Sequence, residues 1–262
     1  MKKIFIVALI FFCVMCAGCF QAKSDVIIAA DGSVVVRNQA LGNALVIRRI
    51  EEWKENNERA NPLVKGQIIV DGDLRGYRFD YNYPDIETFA DSATSLYRAK
   101  DGKSRGISKR AGWFFDVYDF DFCWTSSPTN LPPEAEFITQ EAFNGVEFDV
   151  TIQLPYSAEK NNADEISADG KFLKWKLSTV MIHGGEKFLQ ARFKIWHKEK
   201  FALTAAFELL LLAATIFFFR KARKEESESL AKDFRLKRNI FAGLFVALAI
   251  ASAYLLLAPV DF

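Results

Sequence analysis

Two apolar runs near the C-terminal end, residues 201–219 and 240–258, constrain this chain more than any other feature. At about 1.5 Å of rise per residue, each is long enough to cross the hydrocarbon layer of a bilayer as a helix. Between them stand Arg220, Lys221, Arg223, Lys224, Lys232, Arg235, Lys237 and Arg238. A basic cluster in a short connection stays in the cytoplasm. The expectation is a C-terminal transmembrane helical hairpin with a cytoplasmic loop at 220–239, and with Lys200 and Asp261 on the outer side. Glu225, Glu226 and Glu228 dilute the pull of that loop on anionic lipid, so its expected role is orientation. Glu208 falls inside the first run, roughly two turns from its outer end. A carboxylate there is costly, and points to partner contact, proton movement or reach to the interface. Gly243, Ala247 and Ala251 recur every fourth position, as in closely approaching helices, although alanine is common in any membrane helix.

The other end carries a second address. Met1-Lys2-Lys3, the apolar run 4–12 and small residues before Cys19 have the layout of a secretory signal. Ala17 and Gly18 directly before Cys19 resemble the lipobox of bacterial lipoproteins, with Cys16 where leucine is usual. That resemblance implies a signal peptide over 1–18, cleavage before Cys19, and diacylglycerol on its sulfur with further acylation (palmitate) of the new amino group. An uncleaved helix and ordinary cleavage without lipid are the alternatives. Both addresses put residues 19–200 outside the cytoplasm, with the protein held in the bacterial cytoplasmic membrane.

Cys13 and Cys16 would leave with the signal and Cys19 would carry lipid, so Cys123 remains with no partner for an internal disulfide. The domain must therefore stand on its own core. A net charge of +1 gives no global attraction to nucleic acid, which is not expected as a partner.

Periodicity makes that domain α+β. Residues 26–30 and 33–36 flank Asp31-Gly32, a two-residue hairpin signal, and Asp169-Gly170 repeats it. A helix is expected over 41–60, from Leu45, Val46, Ile50 and Trp53, ended by Asn61-Pro62. A second is expected over 84–100, begun by Pro84 and Asp85, with Ile86, Phe89, Ala90, Ala93, Leu96 and Tyr97 on one face. Strands are expected at 68–70, 77–83, 113–124, 146–154, 172–177 and 189–196. In 113–124, Tyr118, Phe120, Phe122 and Trp124 alternate with Asp119, Asp121 and Cys123, giving an aromatic and a mostly acidic face. The simplest packing is a mostly antiparallel sheet with two amphipathic helices on one face, followed by the membrane hairpin.

One stretch carries a family resemblance. Leu154-Pro155-Tyr156, then Asn161, Asp169-Gly170-Lys171 and Trp175-Lys176-Leu177, resemble the LppM-like domain of bacterial membrane lipoproteins. In that family a strand ends in Leu-Pro-Gly, an Asn follows, and a turn leads into a strand bearing Trp. Tyr156 replaces the usual glycine, and two terminal helices stand where a single anchor is common. The resemblance implies an LppM-like domain over 19–200, lipid or glycolipid binding, and no catalytic residues to carry over.

No nucleophile elbow, phosphate-cradling loop or His-Glu-x-x-His segment is present. His183 and His197 are the only histidines, both expected in exposed positions, so a histidine-rich zinc site is not expected. Asp71 with Asp73, and the row Asp116, Asp119 and Asp121, are weighed as hard-cation ligands, against a solvated acidic face. No cofactor, no metal and no enzymatic activity are expected. An apolar groove lined by Tyr81, Phe89, Phe114, Tyr118, Phe120, Phe122 and Trp124 is the candidate site, against an ordinary aromatic core. Trp113, Trp175 and Trp196 are candidates for the membrane interface. Two functions follow: binding of a membrane lipid, glycolipid or other envelope component, or a non-catalytic scaffold contacting a membrane protein through Glu208.

Overall fold

A computed structural model describes residues 20–44, 46–92, 106–126 and 146–257. They fall into two compact units, Met1–Lys109 with Tyr118–Ile195, and Arg110–Val117 with Trp196–Phe262. The first half of the chain forms β1 (Phe20–Ile28), β2 (Val34–Gly42), helix α1 (Ile47–Ala60), β3 (Gln67–Asp71), β4 (Leu74–Tyr83) and helix α2 (Ile86–Asp91). Then come β5 (Gly106–Arg110), β6 (Phe115–Ser126), β7 (Val146–Gln153), β8 (Lys160–Asn161) and β9 (Glu165–Ile166). The series ends with β10 (Phe172–Lys176), helix α3 (Ser178–His183), β11 (Gly185–Trp196), and helices α4 (Lys198–Lys224) and α5 (Glu228–Leu257).

The first unit is α+β with two sheets rather than one. A seven-stranded sheet has the order β3-β4-β2-β1-β7-β10-β9, and a four-stranded one the order β5-β6-β11-β8. Pairing in the larger sheet is antiparallel except between β1 and β7. Register sets the core. Tyr81, Val36, Val26, Ile152 and Leu173 form one inward row of direct partners across five strands. Phe79, Asn38, Ser24, Val150 and Trp175 form the next, and Tyr77, Ala40, Ala22 and Phe148 the one after. The strands alternate as the pleat demands, with Val26, Ile28, Val34 and Val36 all buried.

Several boundaries differ from the periodicity. Leu41 and Gly42 belong to β2, paired with Gln21 and Phe20, so α1 begins at Ile47. The sheet ladder there satisfies backbone groups that a helix would otherwise have claimed. Asp85 caps α2 by accepting from the Thr88 amide at 2.6 Å, as Pro84-Asp85 suggests. Hydrogen bonding pulls the Asp85 carboxyl below its ordinary range. The helix nonetheless ends at Asp91, because Ser92 is extended; residues 93–100 of the expected helix lie outside the described residues. Neither Asp-Gly hairpin is a two-residue turn. Ile28 pairs with Val34, which makes the first loop longer, and within each Asp-Gly pair the glycine alone has positive φ, 89° at Gly32 and 67° at Gly170. The aspartates accept instead from the amides two residues on, Ser33 and Lys171.

The segment behind the Leu154-Pro155 turn is tied down by Asp164. Its carboxylate accepts from Lys187 Nζ at 2.7 and 2.8 Å and from the Lys176 amide at 2.8 Å. Partial burial raises the Asp164 pKa, but these donors outweigh it and hold the carboxyl below the ordinary 3.8. A depressed folded-state pKa contributes stability that is complete above the unfolded value and lost as pH falls through the folded one. Asp164→Asn is therefore expected to lower Tm at pH 7. The deficit should shrink below about pH 3.9, where the unfolded carboxyl protonates. Thermal melts of both proteins across pH 2.5–7 check this, and a deficit independent of pH would remove the ionic explanation.

The second unit is a helical pair with a short β-derived segment. The α4 and α5 helices run 27 and 30 residues, each with a window apolar enough to cross a membrane. Phe218 stacks on Phe241 at 5.4 Å, and Ser252 donates to Glu208 Oε1 at 3.1 Å, so the helices run antiparallel. The basic residues between the apolar runs sit on helix, leaving only 225–227 as the connection. The small-residue stripe does not mediate close approach. Gly243, Ala247 and Ala251 are exposed, and a Cβ on Gly243 would meet open space.

Candidate functional site

The expected aromatic groove is filled core. Tyr81, Phe89, Tyr118, Phe120 and Phe122 are buried in one cluster, with Phe120 against Phe122 at 4.4 Å and Tyr118 stacked on Phe193 at 5.6 Å. Trp124 is half-buried and packs edge-on to Phe148 at 5.0 Å. Phe114 belongs to the second unit, in a separate cluster with Phe115 and Val117. Large rings at alternate positions fill the space they would have to line. Trp175 is likewise fully buried and cannot meet a membrane surface. Among the other family-motif residues, Leu154 is buried in the core, Pro155 is half-buried, and Asn161 Oδ1 accepts from the Ala163 amide at 3.1 Å.

An apolar cavity does exist in the first unit, in a different place. It lies between α1 and the larger sheet and has a volume of about 320 Å³. The third inward row explains it. Ala22 and Ala40 are direct partners and both small, so the sheet surface is low between Phe20 and Phe148. Ile50, Trp53 and Asn57, at spacings of three and four along α1, close the cavity from above. Trp53 is wedged edge-on against Phe79 at 5.1 Å, which fixes the height of the helix.

The lining is mainly apolar with few polar groups, the composition of a small-molecule cleft, and its volume lies at the low end of roughly 300–1,000 Å³. Buried Ser24 donates to Asn38 Oδ1 at 2.7 Å, which neutralises the one polar pair set into the floor. Asn57 donates to the Trp53 carbonyl at 2.8 Å and accepts from the Tyr81 hydroxyl at 3.1 Å. Burial, with Tyr83 adding to it, pushes the Tyr81 phenol up to about 12, so it stays a neutral donor. Arg49 stands at the lining with its side chain 84% exposed, 3.2 Å from Glu52. Lys23 lies between inward-facing Ala22 and Ser24 on β1, so its side chain projects from the opposite face of the sheet, 3.1 Å from Asp25. The arrangement can hold an apolar chain with an anionic group toward Arg49.

The remaining sequence candidates are placed as follows. Cys19 lies outside the described residues, one position before Phe20 of the cavity lining. Glu208 is half-buried and accepts from the Ser252 hydroxyl within the helical pair. His197 is not a bystander: its Nε2 is 3.1 Å from the buried Asp116 carboxylate, which also accepts from the Gly112 amide at 3.3 Å. Asp119 takes the Arg192 guanidinium and Asp121 accepts from Gln190 Nε2 at 2.9 Å. The acidic face is therefore cross-linked to protein donors. Sequence reasoning missed the cavity because its floor is defined by small residues facing each other across β1 and β2. The apolar face of α1 was the one legible sign.

No known family's sequence profile matches the chain, and no curated protein matches it. Among solved structures, it is similar to the NMR structure of the folded domain of the Mycobacterium tuberculosis LppM protein. The TM-score is 0.41 at 11% identity, covering 70% of this chain and 94% of that one.

Proposed function

We propose that the α+β domain binds a membrane lipid, one acyl chain entering the cavity beneath α1 and an anionic headgroup resting at Arg49. The apolar cavity of about 320 Å³ carries this reading. Each methylene moved from water into such a space is worth about 0.8 kcal/mol, so a chain of modest length supplies useful affinity. Anchorage supports it. Helices α4 and α5 cross the cytoplasmic membrane with their basic connection inside, and the lipid on Cys19 holds the other end. The domain then sits outside, within reach of the lipids it binds, and its ligand is a phospholipid, a glycolipid or another acylated envelope component.

The test is native mass spectrometry of the full chain, exchanged exhaustively into a detergent that strips loosely held lipid. Wild type is expected to retain one lipid-sized mass per chain, and the mass identifies a phosphate or sugar headgroup. Ala22→Phe, which fills the cavity from a half-buried position, should lose it while melting normally. Retention unchanged in that variant would exclude the cavity as the site.

A further inference from the structure

The second unit has an apolar space of its own, at the outer mouth of the helical pair. It is a notch of about 350 Å³ lined by Leu203 and Phe207 of α4 and by Leu248 and Leu255 of α5, under Trp113 and Phe114. Thr204 and Ser252 contribute the hydroxyls of the lining. The roof is built in advance. Phe114 packs on Phe201 with ring centroids 4.5 Å apart, and its carbonyl accepts from the His197 amide at 2.8 Å. The Asp116–His197 and Asp116–Gly112 contacts hold the same short segment against the start of α4.

Trp113 and Lys200 form the edge of this roof. The Trp113 indole N–H donates to Thr204 Oγ1 at 3.3 Å, and the Lys200 ammonium stands 5.6 Å from the centre of the same ring. Trp113 remains half exposed at 49%. A tryptophan and a lysine together at the end of an apolar span are the pairing found where hydrocarbon meets headgroups. Among the described residues no carboxylate pairs with Lys200, whose ammonium rests on the Trp113 ring. Below it, exposed Leu203, Phe207 and Leu255 present apolar surface that water would solvate poorly.

We propose that this mouth is a binding site for one phospholipid of the outer leaflet, its phosphate at Lys200 and Trp113 and one acyl chain in the notch. The occupant follows from the chemistry: hydrocarbon below, a single cation above, and an aromatic amphipath between. The inference rests on the reading that α4 and α5 cross the membrane, and it is independent of the cavity beneath α1.

The experiment uses the full chain in vesicles of phosphatidylcholine and phosphatidylglycerol, doped with a phospholipid carrying a photoreactive group in its acyl chain. The Ala22→Phe background silences the other cavity. Crosslinks are expected to concentrate on residues 203–207 and 248–255. In competition with unlabelled lipid, Leu203→Trp and Ala251→Phe, which fill the notch from opposite helices, should reduce that labelling by about tenfold or more. Lys200→Gln should weaken it for both headgroups, since both carry the phosphate. Labelling spread evenly along both helices, or unaltered by the filling variants, would show an annular lipid only and overturn the site. Alkaline carbonate extraction is run in parallel. Release of the protein by carbonate would instead refute the membrane-crossing reading, and the site with it.

Discussion

Trp175→Ala is expected to unfold the α+β domain at ordinary temperatures. The side chain is fully buried in the row formed with Val150, Ser24, Asn38 and Phe79, and its Nε1–H donates to Asn162 Oδ1 at 2.9 Å. Removing a buried indole costs about 3–5 kcal/mol, a large part of the roughly 5–15 kcal/mol that holds a typical domain folded. Asn162 also accepts from the Gln190 amide at 2.8 Å, so the indole pins the segment after β8 between β10 and β11. Trp175→Phe separates the two contributions. It keeps most of the ring and loses the hydrogen bond, for a cost of about 1–3 kcal/mol. Denaturant titration of the two variants checks both figures. Equal and small losses would mean that the core collapses around the missing ring.

Gly76→Ala is expected to be as damaging although it adds a single methyl. Gly76 faces Leu41 across β4 and β2, and a Cβ at that position would lie 1.8 Å from the Ala40 carbonyl oxygen. Backbone cannot yield as the end of a flexible side chain does, so the two strands must separate. Overpacking of this kind costs typically 1–3 kcal/mol, and backbone contact puts this site at about 3 kcal/mol or above. Separation also moves Ala40, which lines the cavity beneath α1. If the cavity holds lipid as proposed, the variant should therefore lose it under conditions where part of the protein is still folded. Melting curves and lipid retention measured on one sample test this. A variant that melts like wild type would contradict the close approach.

These two sites show where sequence reasoning reaches and where it stops. Trp175 and the Asp169-Gly170 turn stood out in the sequence, and both occupy structural positions in the fold. The close approach at Gly76 did not, because nothing about a glycine in the sequence reveals which carbonyl it will face. The α+β class and the helical pair were legible, since pleat alternation and apolar length are local properties of the chain. The candidate site was not. Tyr118, Phe120 and Phe122 looked like a groove because alternation shows that they share a face, not whether that face is covered. Packing fills it with their own rings and with Phe193.

By itself, then, the sequence determined the membrane-compatible helical pair, the places where the chain turns at Asp31-Gly32 and Asp169-Gly170 but not the length of those turns, and the capped start of α2, all of which depend on residues close together in the chain. Tertiary structure alone decided that β1 pairs with β7 in parallel, that Ala22 meets Ala40, and that Phe114 leaves the core for the mouth of the helical pair. Each of those outcomes depends on register between distant segments. A shift of one residue would turn every side chain of a strand to the other face, and with it close the space beneath α1.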